Sequence, residues 1–363
     1  MKAALFCTAR YMGPAAHDVW PAPADRYSPE IAERSMATTM DQFRLADEYG
    51  FDWVTVAEHH FAPMSLTPNP MLMAAALTQT VKRAKIAVLG PTLPLLNPVR
   101  VAEEFAMLDT MSGGRLIAGM MRGTPNEYVT YNINPSESRA RFEEAVALIR
   151  MAWTEKQPFG WQGRYYKYRS VSVWPRPVQQ PHPPIYVSGS SPESGGYAAR
   201  NRFGLGLAFT TLPLAEKSVA HYRASARKAG WEPKPDDIIY RVGVHVADTD
   251  EQAFADMAEG PPHTGLSMRN RAVESAVAES GFYGSDFEGQ RNRLAPRDLR
   301  ERVALGQLLV GSPETVAEQI RTIHAALGNG VIDLPLSTQL GARTLHAVEL
   351  FGSKVLPRIR ELQ

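Results

Sequence analysis

The chemistry of this chain is concentrated in one tripeptide, Glu58-His59-His60, which directly follows an apolar segment at positions 53–57. Side chains alternate between the two faces of a strand, so we expect His59 to point into a barrel mouth and His60 away from it. Ionisable groups at the carboxyl end of a barrel strand usually belong to the active site, because the loops that follow the strands build it. The structural alternative is a capped strand end with hydrogen-bonded histidines. Imidazoles that point in opposite directions cannot bind one metal ion, so the spacing disfavours a metal site.

Three other segments at predicted strand ends have the composition of a site for an anionic, flat ligand. Arg122 lies beside a glycine and can approach a phosphate without steric hindrance, although a rim ion pair would also use an arginine. The stretch VSGSSPES at 187–194 exposes backbone N–H groups at a helix N-terminus, which suits an anion as well as an ordinary N-cap. The Leu89-Gly90 pair would let a flat ring lie close to the backbone, or would form a simple turn.

Motifs of several other enzyme classes are missing from the sequence. There is no GxGxxG after a strand, no GxxxxGK[ST] and no GxSxG, so the sequence predicts neither a dinucleotide-binding fold, nor a P-loop, nor a nucleophile elbow. Cys7 is the single cysteine. It has no assigned base, and it cannot form an internal disulfide.

Composition narrows the class of protein further. The chain has 363 residues, 44% of them apolar and 21% charged, with a net charge of +1. This balance is typical of a globular protein and gives no field that would attract nucleic acid or an anionic membrane. The N-terminal apolar run is too short for a signal peptide, and prolines or polar residues interrupt the long uncharged stretches. With one cysteine, a reducing compartment fits, so we expect a cytoplasmic protein.

Apolar strand-like segments alternate with helical ones along the chain, which predicts a parallel sheet covered by helices. The expected strands are at 3–7, 53–57, 85–89, 115–120, 185–188, 205–209, 239–247 and 331–336. A count of eight favours an α/β fold of the (β/α)8 TIM-barrel type over a doubly wound sheet. We expect one domain over 1–363 with two insertions, a small hairpin at 154–184 and an irregular segment at 259–302 that would cover the mouth as a lid. Aromatic residues of the first loop either wall a cavity or pack.

Taken together, these motifs resemble those of the bacterial luciferase-like, flavin-dependent monooxygenase family. The matching blocks are AEHHF at 57–61, NPVR at 97–100 with EE at 103–104, LDTMSGGRLIAGMMRG at 108–123, QQPHPPIYVSGSS at 179–191, VGSPETVAEQI at 310–320 and LFGSKVLP at 350–357. The block at 108–123 is the most specific. The resemblance covers essentially the whole chain and implies a (β/α)8 barrel that binds reduced FMN at the carboxyl ends of its strands.

The resemblance also implies roles for individual residues. His59 matches the catalytic histidine, Arg122 matches the arginine that holds the flavin phosphate, and the Leu89–Gly90 bond matches a non-prolyl cis peptide beneath the flavin ring. Met121 stands where luciferase itself has a reactive cysteine, so light emission and a long-chain aldehyde substrate are not carried over. The remaining positions implied to bind the cofactor are those of the phosphate loop: Ser188, Gly189, Ser190, Ser191 and Ser194.

The activity that the resemblance implies is a two-component monooxygenation. Reduced flavin and O2 would form a C4a-hydroperoxide, which oxygenates a small organic substrate, and a separate NAD(P)H:flavin reductase would supply the flavin. A homodimer or higher homo-oligomer is expected, with no nucleic acid and no membrane as partner. Two alternatives stay open: a deazaflavin (F420)-dependent oxidoreductase that transfers hydride on the same barrel, and a non-catalytic flavin-binding relative.

Overall fold

The computed structural model describes residues 1–15, 19–189, 191–208, 210–259, 271–281, 298–336 and 342–362. Its strands are β1 (Lys2–Phe6), β2 (Trp53–Val56), β3 (Lys85–Val88), β4 (Leu116–Met120), β5 (Phe159–Gln162), β6 (Lys167–Val171), β7 (Ile185–Ser188), β8 (Gly204–Leu207), β9 (Ile238–Arg241), β10 (Gly243–Val246), β11 (Leu308–Gly311) and β12 (Val331–Pro335). Eight of these described strands close into a barrel in the order β1-β12-β9-β8-β7-β4-β3-β2. Each neighbouring pair is parallel, which confirms the predicted (β/α)8 fold.

Helices follow the barrel strands and cover the outside of the sheet. They are α1 (Pro29–Glu48), α2 (Pro70–Thr80), α3 (Pro98–Ser112), α4 (Pro125–Thr130), α5 (Ser138–Thr154), α6 (Pro192–Asn201), α7 (Leu212–Lys228), α8 (Asp250–Glu259), α9 (Arg271–Ser280), α10 (Leu299–Ala304), α11 (Pro313–Leu327), α12 (Ala342–Leu350) and α13 (Leu356–Arg360). A π-helical segment, Phe351–Val355, joins the last two. Several helices begin with a polar N-cap followed by proline. Asn69, for example, accepts bonds from the first turn of α2.

The two faces of β2 separate as the alternation predicts. Trp53 belongs to the cluster of side chains that fills the barrel, and Thr55 donates a hydrogen bond across the interior to Asp333. Val54 and Val56 pack into the larger core between sheet and helices. The sequence therefore positions this strand correctly up to its last residue.

The prediction of one continuous strand at 239–247 is wrong. β9 ends at Arg241, and β10 leaves the barrel to pair with β11. The other barrel strands have four or five residues, so a nine-residue run exceeds the height of the barrel. Its second half pairs instead with LLVG at 308–311, a strand too short to be identified from the sequence.

Both predicted insertions leave the repeating β–α pattern. The segment at 154–184 contains the expected antiparallel hairpin, β5–β6. The carboxylate of Glu144 holds its turn by accepting bonds from the backbone N–H groups of Arg164, Tyr165 and Tyr166. The second insertion contributes α9 and α10, while 260–270 and 282–297 lie outside the described residues. Among the helices described, none has the length and apolar composition needed to cross a membrane.

Candidate active site

The predicted site residues follow four strands that are consecutive in the barrel, β2, β3, β4 and β7. His59 follows β2, Leu89-Gly90 follows β3, Met121-Arg122 follows β4, and Ser188 ends β7. The strands are in register at this end, where Val56 pairs with Val88 and Met120 with Val187. The fold thus brings these segments together at one side of the mouth, meaning the end of the barrel at the carboxyl ends of the strands.

His59 is held by a carboxylate that the sequence analysis missed. Its Nδ1 lies 3.0 Å from Oε1 of Glu127, and the side chains are 16% and 1% exposed. Glu127 lies on α4, a six-residue helix that begins with Pro125 after Thr124. The signal available in the sequence was this Thr-Pro pair followed closely by an acidic residue. The turn is too short to show helical periodicity.

A second histidine–carboxylate pair lies beside the first. Nε2 of His60 is 3.1 Å from Oε1 of Glu58 and 4.0 Å from Oε2 of Glu127. Burial works against the charged imidazole, but the hydrogen bond to Glu58 and the charges of Glu127 and Glu58 outweigh burial and raise the pKa of His60. The edge of the Tyr131 ring covers the imidazole, with centroids 5.0 Å apart. The four groups form a buried cluster of two carboxylates and two imidazoles.

The expectation that His59 and His60 point in opposite directions is wrong at this cluster. Both imidazoles reach the same carboxylate, one at each oxygen of Glu127. The reason is that β2 ends at Val56, so the alternation of a strand does not extend to positions 59 and 60. Within the described ranges, no three His, Cys, Asp or Glu side chains form a group that could hold a metal ion.

The expected cis bond between Leu89 and Gly90 is also wrong. The cis bonds among the described residues all precede proline. Leu89 continues the parallel ladder by donating its N–H to Val56. A Cβ on Gly90 would lie 2.4 Å from the Cα of Ala57. The glycine is therefore required by the close approach of the two strand ends, and a trans backbone satisfies it without the cost of a non-prolyl cis bond, about 3–4 kcal/mol.

Arg122 lies at the phosphate side of the predicted site. Burial lowers the pKa of Arg122, while the charge of Glu193, in the first turn of α6, partly opposes this shift. The hydroxyl of Tyr128 donates to the Arg122 carbonyl at 3.0 Å, which fixes the backbone next to Gly123. The guanidinium donates through Nη1 to the carbonyl of Ser280, at the end of α9, at 3.3 Å. The insertion helix thus reaches the same part of the mouth.

The predicted phosphate loop leads into α6. Ser191 is the N-cap, and its Oγ accepts a bond from the N–H of Ser194 at 3.3 Å. A Cβ on Gly189 would lie 1.9 Å from a terminal methyl of Leu205, so a larger residue would force that side chain to move. Ser188 is exposed at the end of β7, and Ser190 lies outside the described residues. The helix points its first N–H groups toward the end of β7, where an anion can bind.

The first loop packs against the histidine segment. The indole N–H of Trp20 donates to the carbonyl of His60 at 3.0 Å, and the ring lies in a small core with Val273 and Val277 of α9. Tyr11 and Tyr27 stack with centroids 5.7 Å apart. Trp20 is therefore a packing residue that ties the histidines to the insertion helix.

A buried ion pair lies inside the barrel below the mouth, which the sequence analysis did not identify. Arg241 of β9 reaches Asp333 of β12 at 2.6 Å and lies over the ring of Phe6. Asp333 is fully buried and also accepts the bond from Thr55 at 2.7 Å. The pair satisfies both charges and closes the interior beneath the predicted site.

Comparison with known proteins identifies the family to which the chain belongs. The family model for luciferase-like monooxygenases matches residues 15–330. The chain belongs to the luciferase-like monooxygenase family. Within it, the chain is 28% identical to the FMNH(2)-dependent dimethylsulfone monooxygenase of Pseudomonas putida, over 95% of this chain and 90% of that protein.

Two further family relatives cover the chain to different extents. The oxygenase component of the flavin-dependent trigonelline monooxygenase of Acinetobacter baylyi is 27% identical over 63% of this chain, a match that spans 64% of that protein. The crystal structure of the monooxygenase RslO1 from Streptomyces bottropensis superposes with a TM-score of 0.78 at 26% identity, covering 98% of this chain and 99% of that chain. The structural match thus extends over nearly the whole chain, beyond the residues 15–330 that the family model covers.

Proposed function

We propose that this chain is the oxygenase component of a two-component, FMNH2-dependent monooxygenase that oxygenates a small organic substrate. One observation carries the proposal: His59, held by a buried carboxylate, follows β2, while Arg122 and α6 follow β4 and β7, and these strands belong to one uninterrupted run β2-β3-β4-β7 of the barrel. A proton-transfer group and a phosphate clamp would then face one space. The names of the dimethylsulfone and trigonelline relatives support the same activity class.

The residues at the mouth fit a flavin mononucleotide. Arg122 would supply a cation and the N-terminus of α6 a partial positive charge for a phosphate. Met121 and Leu89 present apolar surface above the barrel interior, where Met121 packs on the inner cluster. A Cβ on Gly206 would meet only the Val187 carbonyl, at 3.6 Å, so this side of the mouth is open for a flat ring. Reduced FMN, when bound, would supply the electrons that activate O2 by the C4a-hydroperoxide route that the resemblance implies.

His59 would move a proton at the reacting centre. An imidazole can accept or donate a proton near neutral pH, and this one keeps part of its surface exposed at the mouth. The first loop and α9 pack over the neighbouring histidine, and this cover limits the access of water. The side chain would thus act in a largely dry space, as oxygenation of a flavin requires.

A separate NAD(P)H:flavin reductase completes the proposed system. The sequence has the elements of one barrel and lacks a nicotinamide fingerprint. FMN and substrate would fill the mouth together, which leaves little room for a nicotinamide cofactor. A cytoplasmic setting is part of the proposal, because a single cysteine fits a reducing compartment.

We also propose that the chain forms a homodimer through the outer face of α2 and α3. The sequence of α2, PMLMAAALTQT, contains no charged residue on any side. Its Leu72 is 72% exposed, and Met107 and Met111 on the adjacent α3 are 54% and 39% exposed. A surface of this kind on a helix pair is typical of a protein–protein interface.

The test of the activity is a single turnover with photoreduced FMN, O2 and a candidate ketone, terpenoid or sulfone, in the absence of nicotinamide. We expect oxygenated product from the wild-type chain. His59→Ala should bind reduced FMN normally but lose about 10²–10⁴-fold in rate. As a control, His346→Ala on α12, about half exposed, should retain wild-type turnover.

Three results would contradict the proposal. Oxidation of the reduced flavin that proceeds equally well without O2 and yields a reduced, not an oxygenated, substrate would assign the chain to the hydride-transfer alternative. Catalytic oxidation of NADH or NADPH by the chain alone would exclude the two-component scheme. Full turnover by His59→Ala would make this histidine structural.

A further inference from the structure

We propose that Glu127 is a positioning residue that fixes the tautomer of His59, with the proton on Nδ1 and the lone pair on Nε2. The inference deepens the proposed function, on which its catalytic consequence rests. Its structural part concerns the protein alone. It assigns to α4, a helix that carries none of the predicted site residues, the task of preparing the base.

The hydrogen bond between His59 and Glu127 has a defined direction. Nδ1 of His59 lies 3.0 Å from Oε1 of Glu127, which is within hydrogen-bond distance. An ionised carboxylate only accepts hydrogen bonds, so the imidazole must supply the proton from Nδ1. In the neutral ring, Nε2 then carries the lone pair. No hydrogen bond to Nε2 is formed by the residues that the structure describes, so this nitrogen is left to the mouth.

Glu127 itself is held in place by its neighbours on α4 and by its burial. Its Oε1 also accepts a bond from Nδ2 of Asn126 at 3.2 Å. The amide of Asn126 is oriented in turn, because its Oδ1 accepts the hydroxyl proton of Thr124 at 2.6 Å. The carboxylate is 1% exposed, so it cannot rotate away into solvent. A rigid partner of this kind restricts both the ring orientation and the tautomer.

The charge of Glu127 is balanced within the cluster. Oε2 of Glu127 is buried and accepts no hydrogen bond from the residues that the structure describes, and a buried polar atom without a partner is costly. Nε2 of His60 lies 4.0 Å away and is shared with Glu58. A protonated His60 can donate to Glu58 while its charge stabilises Glu127. Tyr128 and Tyr131, from α4 and the residue after it, are further titratable groups beside the cluster.

These steps separate the roles of the two carboxylates. Glu127 contacts His59 directly, whereas Glu58 contacts only His60 among the two imidazoles. A change at Glu58 should therefore alter His60 and leave the tautomer of His59 intact. A change at Glu127 that removes the acceptor should alter His59. The two glutamates provide a matched pair of variants.

The experiment is nitrogen-15 NMR of histidine-labelled protein without flavin, with the His59 signals assigned by their absence in His59→Ala. The wild-type chain should show the neutral His59 ring protonated at Nδ1. Glu127→Leu should give a mixture of tautomers. Glu127→Gln, which keeps an acceptor oxygen toward His59 and Asn126, should retain the wild-type tautomer. Glu58→Gln should shift His60 signals only.

Single-turnover kinetics provide the second readout. Glu127→Leu should lose about 10–100-fold in rate, as removal of an orienting outer residue typically does, with its affinity for reduced FMN unchanged. Glu127→Gln should recover most of this rate. A merely structural role would lower FMN affinity and folding stability together with the rate and would show no rescue by glutamine.

The outcomes distinguish this inference from the proposed function. A wild-type His59 protonated at Nε2, or an unchanged tautomer in Glu127→Leu, would overturn the assignment even if the enzyme is active. If Glu127→Leu does not fold, the tautomer of His59 in the wild-type chain and the spectrum of Glu58→Gln still test the assignment. Conversely, a confirmed tautomer in a chain that forms no oxygenated product would leave the positioning intact and reject the monooxygenase.

Discussion

At the residue scale, the buried cluster links protonation to stability. His60 lies between Glu58 and Glu127 and is 5% exposed. Its folded pKa is raised above the ordinary value of 6.5, because the hydrogen bond and the two negative charges outweigh burial. A group of this kind contributes stability that is fully present below its unfolded pKa and is lost as the pH rises through the folded pKa.

The raised pKa of His60 predicts how the stability of His60→Gln depends on pH. The variant lacks the charge at every pH, so its deficit in the free energy of unfolding should be largest below the ordinary pKa of 6.5 and should shrink as the pH rises through the raised folded pKa. Urea unfolding at several pH values, for the wild-type chain and the variant, measures the difference. A deficit that stays constant or grows with pH would contradict the raised pKa.

Some residues of the site were predicted from the sequence and others were missed, and the difference has a physical cause. His59 and Arg122 come directly after apolar strands, where position alone indicates the mouth. Glu127 lies five residues beyond Arg122 in a single buried turn, and Asp333 is an isolated carboxylate within a strand. The importance of both depends on partners 68 and 278 residues away, and no local pattern records such distances.

At the scale of elements, the strand ends and the start of α6 act together. Arg122 follows β4, and α6 follows β7, the next strand around the barrel. The charge of Glu193 acts on the guanidinium, which places the arginine close to the first turn of that helix. A phosphate bound there would contact two elements at once, and each would contribute through charge-assisted hydrogen bonds.

Arg122→Ala should therefore weaken the binding of FMN by about 1.5–3 kcal/mol, the typical value for a hydrogen bond to a charged group. Arg122→Lys should fall between wild type and alanine, because an ammonium keeps the charge but not the two-pronged geometry. Fluorescence titration with oxidised and photoreduced FMN measures both. As the control, Arg321→Ala on the exposed face of α11 should bind FMN normally. Equal affinity of Arg122→Ala and wild type would move the phosphate elsewhere.

Elements were easier to predict than residues, with clear exceptions. Several helices begin at a proline preceded by a polar cap, as at Asn97 before α3, and these signals are local. The split between β9 and β10 depends on the height of the barrel, and β11 pairs with β10 in a separate two-stranded sheet. The trans bond at Leu89–Gly90 departs from what the family resemblance implied, because strand pairing at this point already accounts for the glycine.

At the scale of the whole molecule, α2 packs against β2 and β3, the strands whose ends lead into the mouth. β2 and β3 carry His59 and Leu89 at their ends, and α2 lies between these strands in the sequence. α2 and α3 pack against each other and expose Leu72 and Met107 outward. A partner that covers this face would restrain the two strands that carry the proton-transfer group. Assembly and catalysis would then be coupled through β2 and β3.

The corresponding prediction concerns mass in solution. One chain has a mass of 40.1 kDa, and we expect the wild-type protein to sediment at twice that value. A double variant, Leu72→Asp with Met107→Asp, places a carboxylate on each helix of the face, and burying unpaired charge in an interface costs several kcal/mol. It should sediment as a monomer with its helical content intact.

A matched control separates this face from exposed apolar surface in general. Trp174 is 80% exposed and lies in the 154–184 excursion rather than on α2 or α3, so Trp174→Asp should remain a dimer. A monomeric wild-type chain, or a double variant that stays dimeric, would reject the proposed interface. If the double variant is monomeric and also loses turnover while still binding FMN, the coupling through β2 and β3 is supported. A fully active monomer would show instead that each barrel works alone and that the interface serves assembly only.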